Sequence, residues 1–247
     1  MRYRHSIPNV ATSPDAFKWD AKLFTATLPH LPGLEHEPQL FTSITYPRFG
    51  PLGGGDLWYS WRTGKAGLGD DHLCIYRAAT GRYELPGNGN TGMHLQGVNA
   101  NPYIHGLHAR GPRLYTTWVY RGFVWYDGWD DPADTKHKRQ AGPNGAENNH
   151  DICFAYSEDE GRTWCNGAGD RVADLARGEA VMPSSPGIVA FRIPKGSGLI
   201  NQESQAVDHH GGVHVLNRDN RHGELRRKHY YRSPEGEFKL RPFPWLK

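Results

Sequence analysis

The chain has 247 residues, enough for one large domain with a substantial core, and its formal net charge is +3. With 30 Gly, 18 Pro, 8 Trp and 12 Tyr, its composition is typical of a turn-rich, aromatic-rich all-β protein. The small net charge and the scattered Lys and Arg residues exclude a basic stripe for nucleic acid, and no apolar run approaches the length of a membrane span. The 3 cysteines have neither a disulfide-framework spacing nor a metal-site spacing.

The beginning of the chain looks like part of a sheet that lacks neighbouring strands. Residues 1–6 are predicted to begin inside a strand, and residues 11–19 are a loose copy of a turn that recurs later. The chain stops just after a last predicted hairpin at residues 231–238. Because an unpaired sheet edge is unfavourable, we expect a single domain over residues 1–247 that is truncated at both ends. No signal peptide follows Met1.

Two strands are predicted at residues 44–49 and 57–62. Successive side chains of a strand point to opposite faces, so Tyr46 lies on the same face as Arg48. If the two strands are neighbours in one sheet, Tyr46 and Arg62 converge at one end of that sheet.

Residues 101–108 are predicted to form the inner strand of the next sheet. Tyr103 and His105 share one face of this strand with Asn101, whereas His108 lies on the other face. The two histidines are therefore poorly placed to bind a metal ion together.

A long loop insertion is predicted at residues 122–147. Two interpretations of its aromatic residues stay open, because Trp125 and Trp129 can stack on sugar faces or pack within the loop itself. His150 ends the loop and begins a strand, where its side chain can lean over a central channel. A hydrogen bond from His150 to a loop carbonyl is the structural alternative.

An Asp-box hairpin is predicted at residues 157–164. Asp159 can accept backbone N–H groups of its own turn, Gly161 permits a positive φ, and Trp164 is expected to wedge between neighbouring sheets. The same layout, an aromatic strand end followed by a polar turn that Gly closes, recurs at residues 76–83 and 231–238.

Repetition of these units predicts a β-propeller. Aromatic-rich strands precede three of the turns, at residues 56–62, 113–121 and 212–218, and the copies lie about 65 to 80 residues apart. Since a bare four-stranded blade needs roughly 40 to 50 residues, some loops are long. We expect an all-β fold of about four to five four-stranded blades, with Cys74 and Cys153 buried at equivalent strand positions.

Four segments, together with the Asp box, resemble the BNR-repeat propeller family that includes ulvan lyases and rhamnose–glucuronate lyases. These segments are residues 44–49, 57–62, 148–157 and 198–208, and the likeness covers nearly the whole chain. Members of that family have seven blades, so the resemblance implies that this chain is an incomplete portion of such a ring. It also implies secretion of the full-length protein. We expect a monomer that binds an acidic polysaccharide or oligosaccharide and neither nucleic acid nor a membrane.

The resemblance assigns roles to individual residues. Tyr46 matches the catalytic tyrosine of the family, and Arg62 matches the arginine that binds the carboxylate. Tyr103 resembles a substrate-contacting tyrosine, and His150 resembles a histidine that contacts or neutralises the uronate. Further candidate substrate-binding residues are Arg48, His105, Gln202 and Gln205. For each of these residues a purely structural role is the alternative.

Lyases that cut next to a uronic acid remove the C5 proton and expel the C4 oxygen by β-elimination. Negative charge develops on the carboxylate, so the site needs a cationic clamp, which the fork of an arginine supplies, and a group that transfers protons. The reaction requires no cofactor, and the sequence does not define a structural Ca²⁺ site. Family lyases also use histidines from the preceding blade. Only His5 lies near those positions, so we expect a truncated chain to lack part of the catalytic set and to be inactive.

The sequence therefore predicts a polysaccharide lyase that acts on a rhamnose–glucuronate type of polymer. Two alternatives stay open. One is a glycoside hydrolase on the same scaffold, such as an α-rhamnosidase, and the other is a non-catalytic carbohydrate-binding propeller.

Overall fold

The computed structural model describes residues 2–64, 68–88, 91–129, 131, 133, 144–201 and 204–241. Its regular elements are β-strands joined by turns and by short 3-10 helices. No helix in these ranges is long and apolar enough to cross a membrane. The 3-10 helices are Pro14–Ala16, Ala21–Leu23, Pro38–Phe41, Pro86–Asn88, Ala146–Asn148 and Leu175–Arg177.

The N-terminal segment before residue 45 forms two isolated bridges, Tyr3 with Leu28 and Ser6 with Phe24, and no regular strand over its described residues. The loose turn copy predicted at residues 11–19 is therefore wrong as a hairpin. Pro14 has no backbone N–H to donate to a ladder, and it begins the 3-10 helix Pro14–Ala16 instead.

Sheet 1 follows this segment. Its strands run in the order β1 (Thr45–Gly53), β2 (Asp56–Arg62), β3 (Asp71–Arg77) and β4 (Arg82–Glu84), all antiparallel, and β5 (Met93–Leu95) pairs with β3. Apolar side chains of the N-terminal segment cover its outer face. Leu31 and Phe41 pack there against Tyr59 and Trp61.

Sheets 2 and 3 repeat the four-stranded meander. Sheet 2 contains β6 (Ala100–Arg110), β7 (Arg113–Gly122), β8 (Asn149–Ser157) and β9 (Thr163–Cys165), and it is extended by β10 (Arg171–Asp174) on β9 and by β11 (Val189–Phe191) on β8. Sheet 3 contains β12 (Gln205–Val207), β13 (Val213–Asp219), β14 (Arg226–Arg232) and β15 (Phe238–Arg241).

The first strands of the three sheets lie together, because β6 contacts both β1 and β12. The sheets thus succeed one another as blades around these inner strands, and the predicted all-β propeller fold of four-stranded blades is confirmed. The described residues form three such blades, fewer than the four to five expected. The difference arises because the N-terminal copy does not form a sheet.

Two apolar layers join the blades. Trp58, Trp118 and Trp164 belong to the layer between sheets 1 and 2, and Val119 and Tyr230 belong to the layer between sheets 2 and 3. Cys74 and Cys153 are free and buried, as expected from their equivalent positions.

The Asp-box hairpin has the predicted geometry. Asp159 accepts hydrogen bonds from the Thr163 backbone N–H and the Ser157 hydroxyl, each at 2.8 Å. Gly161 has a φ of +91°, and a Cβ added there would lie 2.4 Å from Cδ2 of Leu73. Trp164 is fully buried and donates from its indole N–H to the Gly161 carbonyl at 3.0 Å. The hairpin therefore locks the outer strand of sheet 2 against sheet 1.

Candidate functional site

Tyr46 and Tyr103 meet at the end of the inner strands where β1 and β6 begin. Two residues of β1, Tyr46 and Pro47, lie opposite the single residue Trp61 of β2, and Tyr46 sits in the resulting bulge with a φ of +53°. A bulge re-aims the side chain that it carries, and a positive φ is unfavourable for a residue with a Cβ. The Tyr46 ring packs edge-on against the Tyr103 ring, with 6.1 Å between centroids. A strained backbone thus directs Tyr46 towards the neighbouring blade.

Arg62 lies beside both tyrosines. Its guanidinium carbon is 5.4 Å from the Tyr46 ring centroid and 5.1 Å from that of Tyr103, and its side chain is buried. Nη1 donates to Oδ1 of Asn101 at 3.1 Å, Nε donates to the Thr45 hydroxyl at 3.2 Å, and Nη2 donates to a backbone carbonyl. All of these acceptors are neutral, so the described residues leave the positive charge of Arg62 without a carboxylate.

Arg121 also lies beside Tyr103. It is fully buried, and its guanidinium carbon is 4.6 Å from the Tyr103 ring centroid. Nε donates to Oδ1 of Asn149 at 2.9 Å, and Nη2 donates to Oδ1 of Asn201 at 2.6 Å. Nη1 is buried and has no hydrogen-bond partner among the described residues. Since a buried donor without an acceptor is unfavourable, this nitrogen is suited to a ligand oxygen.

Burial affects the charges of Arg62 and Arg121. Burial lowers the pKa of the Arg121 guanidinium, and the nearby positive charge of Arg62 acts in the same direction, whereas Tyr103, Tyr46 and the carboxylate of Glu147 oppose both effects. A guanidinium remains protonated in proteins despite such shifts. Two permanent positive charges therefore lie beside the Tyr103 ring. Their described hydrogen-bond acceptors are neutral, and Glu147 is an electrostatic neighbour of Arg121. We call Tyr46, Arg62, Tyr103 and Arg121 the arginine cluster.

Arg121 is the residue that sequence analysis missed. Arg62 ends β2 and Arg121 stands one residue before the end of β7, so both occupy nearly the same place in the second strand of consecutive blades. The repeated strand segments 57–62 and 113–121 each finish on an arginine, and that repetition was the available signal.

His150 is placed differently from its neighbour Asn149. Asn149 faces Arg121, whereas His150 hydrogen-bonds Oδ2 of Asp151 at 3.1 Å and stacks on Tyr120 with 6.2 Å between centroids. Burial opposes ionisation of Asp151, but the hydrogen bonds from His150 and from a backbone N–H outweigh it and lower the pKa of that carboxyl. The described contacts of His150 do not reach the arginine cluster.

His105 and Gln205 take part in a hydrogen-bond network that joins sheets 2 and 3. His105 is buried, its Nδ1 bonds the Thr117 hydroxyl at 3.3 Å, and its Nε2 accepts from Nδ2 of Asn217 at 3.0 Å. Burial lowers the pKa of His105 to about 3, so the ring is neutral at ordinary pH. Oε1 of Gln205 accepts from the same Thr117 hydroxyl at 2.7 Å. These partners satisfy both side chains within the protein.

The predicted orientation of His108 is wrong. A bulge at His105 inserts one residue between the pairs Ile104 with Trp118 and Gly106 with Thr117, which shifts the following side chains to the opposite face. Nδ1 of His108 consequently lies 3.2 Å from Nε2 of Gln205 in sheet 3. Among the described residues, no group of three or more His, Cys, Asp or Glu side chains is arranged to hold a metal ion.

Arg48 lies on the channel side of β1. Its Nη1 donates to the Tyr46 carbonyl at 3.1 Å, and its guanidinium carbon is 5.6 Å from the Tyr46 ring centroid. Together with His105 and Gln205 it lines a cleft of about 500 Å³ between the inner strands. Gln202 lies outside the described residues.

Comparison with known families identifies the chain. The profile of the BNR repeat-containing family matches residues 1–245. The chain belongs to this family. No curated protein matches it significantly.

Two solved structures resemble this BNR-repeat protein. The polysaccharide lyase Uly1 is 17% identical with a TM-score of 0.64, over 98% of this chain and 52% of the lyase chain. Zg3597, a family 117 glycoside hydrolase from the marine bacterium Zobellia galactanivorans, is 12% identical with a TM-score of 0.41, over 87% of this chain and 60% of the hydrolase chain. The chain thus spans about half the length of the lyase, and this likeness establishes the fold alone.

The arginine cluster gives this BNR-repeat protein a defined chemical capacity. Two guanidinium groups that lack carboxylate partners can bind a planar anion, and Arg121 Nη1 supplies a donor that no described group uses. The Tyr46 ring lies 5.4 Å from the guanidinium carbon of Arg62. The cluster therefore combines two buried guanidinium groups with a tyrosine ring.

Proposed function

We propose that this BNR-repeat protein binds an acidic polysaccharide of the rhamnose–glucuronate type and cleaves it next to the uronic acid by β-elimination. The observation that carries the proposal is the pair of buried arginines, Arg62 and Arg121, whose described partners are all neutral. A buried charge is costly unless a counter-charge reaches it, so the pair favours an anionic ligand.

The two arginines act on the carboxylate of the uronate. When the C5 proton leaves, the electrons of the broken C–H bond delocalise onto that carboxylate, and fixed cations stabilise the added charge. Because Arg62 and Arg121 are already held by Asn101 and Asn149, they need not reorganise as the charge develops.

Tyr46 transfers protons in this scheme. As its phenolate, Tyr46 takes the C5 proton, and it then delivers that proton to the departing C4 oxygen. The electron pair from C5 forms the C4–C5 double bond as the C4–O bond breaks, so the products are a new non-reducing end with an unsaturated uronate and a free hydroxyl on the leaving chain.

The composition of the cluster favours elimination over hydrolysis. Glycoside hydrolases normally use two carboxyl groups that flank the scissile bond. The described hydrogen bonds of Arg62 and Arg121 reach no carboxylate, and Glu147 is the one carboxylate that acts on Arg121 through its charge, so the described residues do not place two carboxyl groups at the cluster. This supports a lyase over an α-rhamnosidase-like hydrolase. A non-catalytic carbohydrate-binding propeller would use the same arginines without turnover.

The test compares wild type with Tyr46→Phe, using the complete chain on a rhamnose–glucuronate polysaccharide. In contrast to the inactivity expected of a truncated chain, the proposal requires that wild type generate the ultraviolet absorbance of an unsaturated uronate. Tyr46→Phe keeps the ring that packs on Tyr103 and should lower turnover by about 100-fold or more with little change in affinity, since positioned proton transfer contributes about 10²–10⁴-fold. Tyr76→Phe, which changes a tyrosine outside the cluster, is the matched control.

Two outcomes would contradict the lyase. New reducing ends without the absorbance would indicate a hydrolase, and binding without either product would indicate a carbohydrate-binding propeller. Equal turnover by wild type and Tyr46→Phe would remove Tyr46 from the mechanism.

A further inference from the structure

A second cleft, of about 510 Å³, opens beside the arginine cluster. It is lined by the turn after β2, by the segment before β6 and by Trp129 of the loop that follows β7. We call it the side cleft, and its residues used below are Gly64, Asp70, Val98, Asn99 and Trp129. Its volume lies within the range typical of ligand sites.

The side cleft adjoins the arginine cluster. The carbonyl of Gly64, in its wall, accepts a hydrogen bond from Nη2 of Arg62 at 3.2 Å. Asn99, also in its wall, lies two residues before Asn101, which holds Nη1 of the same arginine. The side cleft is therefore the cavity next to a carboxylate that binds at Arg62.

An aromatic cluster forms one rim of the side cleft. The Trp125 and Trp129 rings meet edge to face with 4.6 Å between centroids, and Phe123 lies 5.9 Å from Trp129. The Phe123 backbone N–H donates to the Asn99 carbonyl at 3.0 Å, which fixes this cluster to the segment before β6. Trp125 and Val98 are each 54% exposed. Contiguous exposed apolar surface beside a polar site marks a ligand groove.

The charges of the two sites differ in sign. The side chains that line the side cleft include the carboxylate of Asp70 and, among the described residues, no lysine or arginine. One oxygen of Asp70 accepts the Gly97 backbone N–H at 2.8 Å. A carboxylate accepts hydroxyl groups and repels a second uronate. The arginine cluster thus suits an acidic sugar, and the side cleft suits a neutral one.

We propose that the side cleft is a subsite for the neutral sugar residue next to the uronate, with Trp129 as its stacking surface. The apolar C–H face of a pyranose packs on the indole, and the sugar hydroxyls face Asp70 and the backbone carbonyls of the wall. This inference rests on the proposed function, because the carboxylate at the arginines fixes where the neighbouring residue lies.

Calorimetry on the complete chain tests the subsite with two ligands, free glucuronate and a rhamnose–glucuronate oligosaccharide. Trp129→Ala should weaken binding of the oligosaccharide by about fivefold to tenfold, the usual loss when an aromatic anchor is truncated, and leave glucuronate binding unchanged. Trp129→Phe keeps an aromatic face and should restore most of the affinity. Trp19→Ala, an exposed tryptophan 60% accessible in the N-terminal segment, is the matched control and should behave as wild type.

The outcomes separate this inference from the proposed function. If Arg121→Lys weakens glucuronate binding but Trp129→Ala binds the oligosaccharide as wild type does, the subsite alone is wrong. An equal loss of both ligands in Trp129→Ala and Trp129→Phe would mean that Trp129 only supports the loop, which also overturns the subsite. If wild type binds neither ligand, the proposed function fails and the subsite with it.

Discussion

Tyr103 lies beside two guanidinium groups. The described hydrogen bonds of these two arginines do not reach a carboxylate. Arg62 and Arg121 lie 5.1 and 4.6 Å from its ring centroid. An aromatic ring within this distance of a guanidinium attracts it electrostatically, so Tyr103 stabilises both cations. Tyr103 thus helps two like charges to share one buried site.

At the residue scale, Arg121→Lys should weaken binding of glucuronate oligosaccharides by at least about 30-fold, or ~2 kcal/mol. Lysine keeps the charge but loses the planar fork that reaches Asn149 and Asn201 together. Calorimetry measures the loss directly.

Arg218→Lys is the matched control for that change. Arg218 occupies the corresponding place near the end of β13, but its side chain is exposed and donates to a backbone carbonyl at 2.9 Å. Its substitution should leave affinity unchanged. Equal affinities for wild type and Arg121→Lys would exclude Arg121 from the carboxylate site.

At the scale of elements, bulges decide which face a strand presents. Near the site, β1, β6 and β8 have bulges at Tyr46, His105 and Asp151, and each shifts the register by one residue. The first directs Tyr46 to the cluster, and the second inserts His105 into the network that joins sheets 2 and 3. These irregularities therefore decide which side chains reach the site.

The buried His105 predicts a pH dependence of stability. Its pKa is about 3 in the folded chain and about 6.5 when unfolded, so the unfolded state binds the extra proton first as pH falls. The contribution is complete above about pH 6.5 and is lost progressively towards pH 3, by up to about 1.4 kcal/mol per pH unit. Urea unfolding of wild type and His105→Gln at pH 5 and 7.5 should show a smaller pH effect in the variant.

His222→Gln supplies the control for the pH experiment. His222 is exposed, so its substitution should leave the pH dependence as it is in wild type. If His105→Gln loses as much stability between pH 7.5 and 5 as wild type does, His105 is not the group that senses pH in this range.

At the scale of the whole molecule, the site is built from two blades and the segment that leads into the third. Sheet 1 supplies Tyr46 and Arg62, sheet 2 supplies Tyr103 and Arg121, and Asn201 comes from the segment that leads into sheet 3. No single blade contains the cluster. A ligand that binds here therefore binds only the folded arrangement and should stabilise all three sheets together.

A uronate oligosaccharide should consequently raise the melting temperature. At 100 times Kd the gain is about 2.7 kcal/mol, which corresponds to roughly 5–10 °C for a domain of this size. The same oligosaccharide with its carboxyl groups reduced to alcohols should give no shift, since its neutral sugars cannot satisfy the arginines. Scanning calorimetry with both ligands checks this, and equal shifts would contradict a carboxylate-specific site.

Much of the fold was predictable because its signals are local. Eight residues encode both the turn that Gly161 closes and Trp164, the tryptophan that packs between two blades. The pleat of a strand places Trp58, Ser60 and Arg62 on one face. These local features are enough to predict the blades, the position of Trp164 between two sheets and the convergence of Tyr46 with Arg62.

The sequence by itself determined the strands, the Asp box and the residue types that an acidic sugar requires. Only the tertiary structure decided that Arg121 joins Arg62 around Tyr103, and that His150 contacts Asp151 instead. The physical reason is twofold. The bulges at Tyr46 and Asp151 have positive φ values, which the residue types Tyr and Asp do not predict. The packing of successive blades also brings together residues that are distant in the chain.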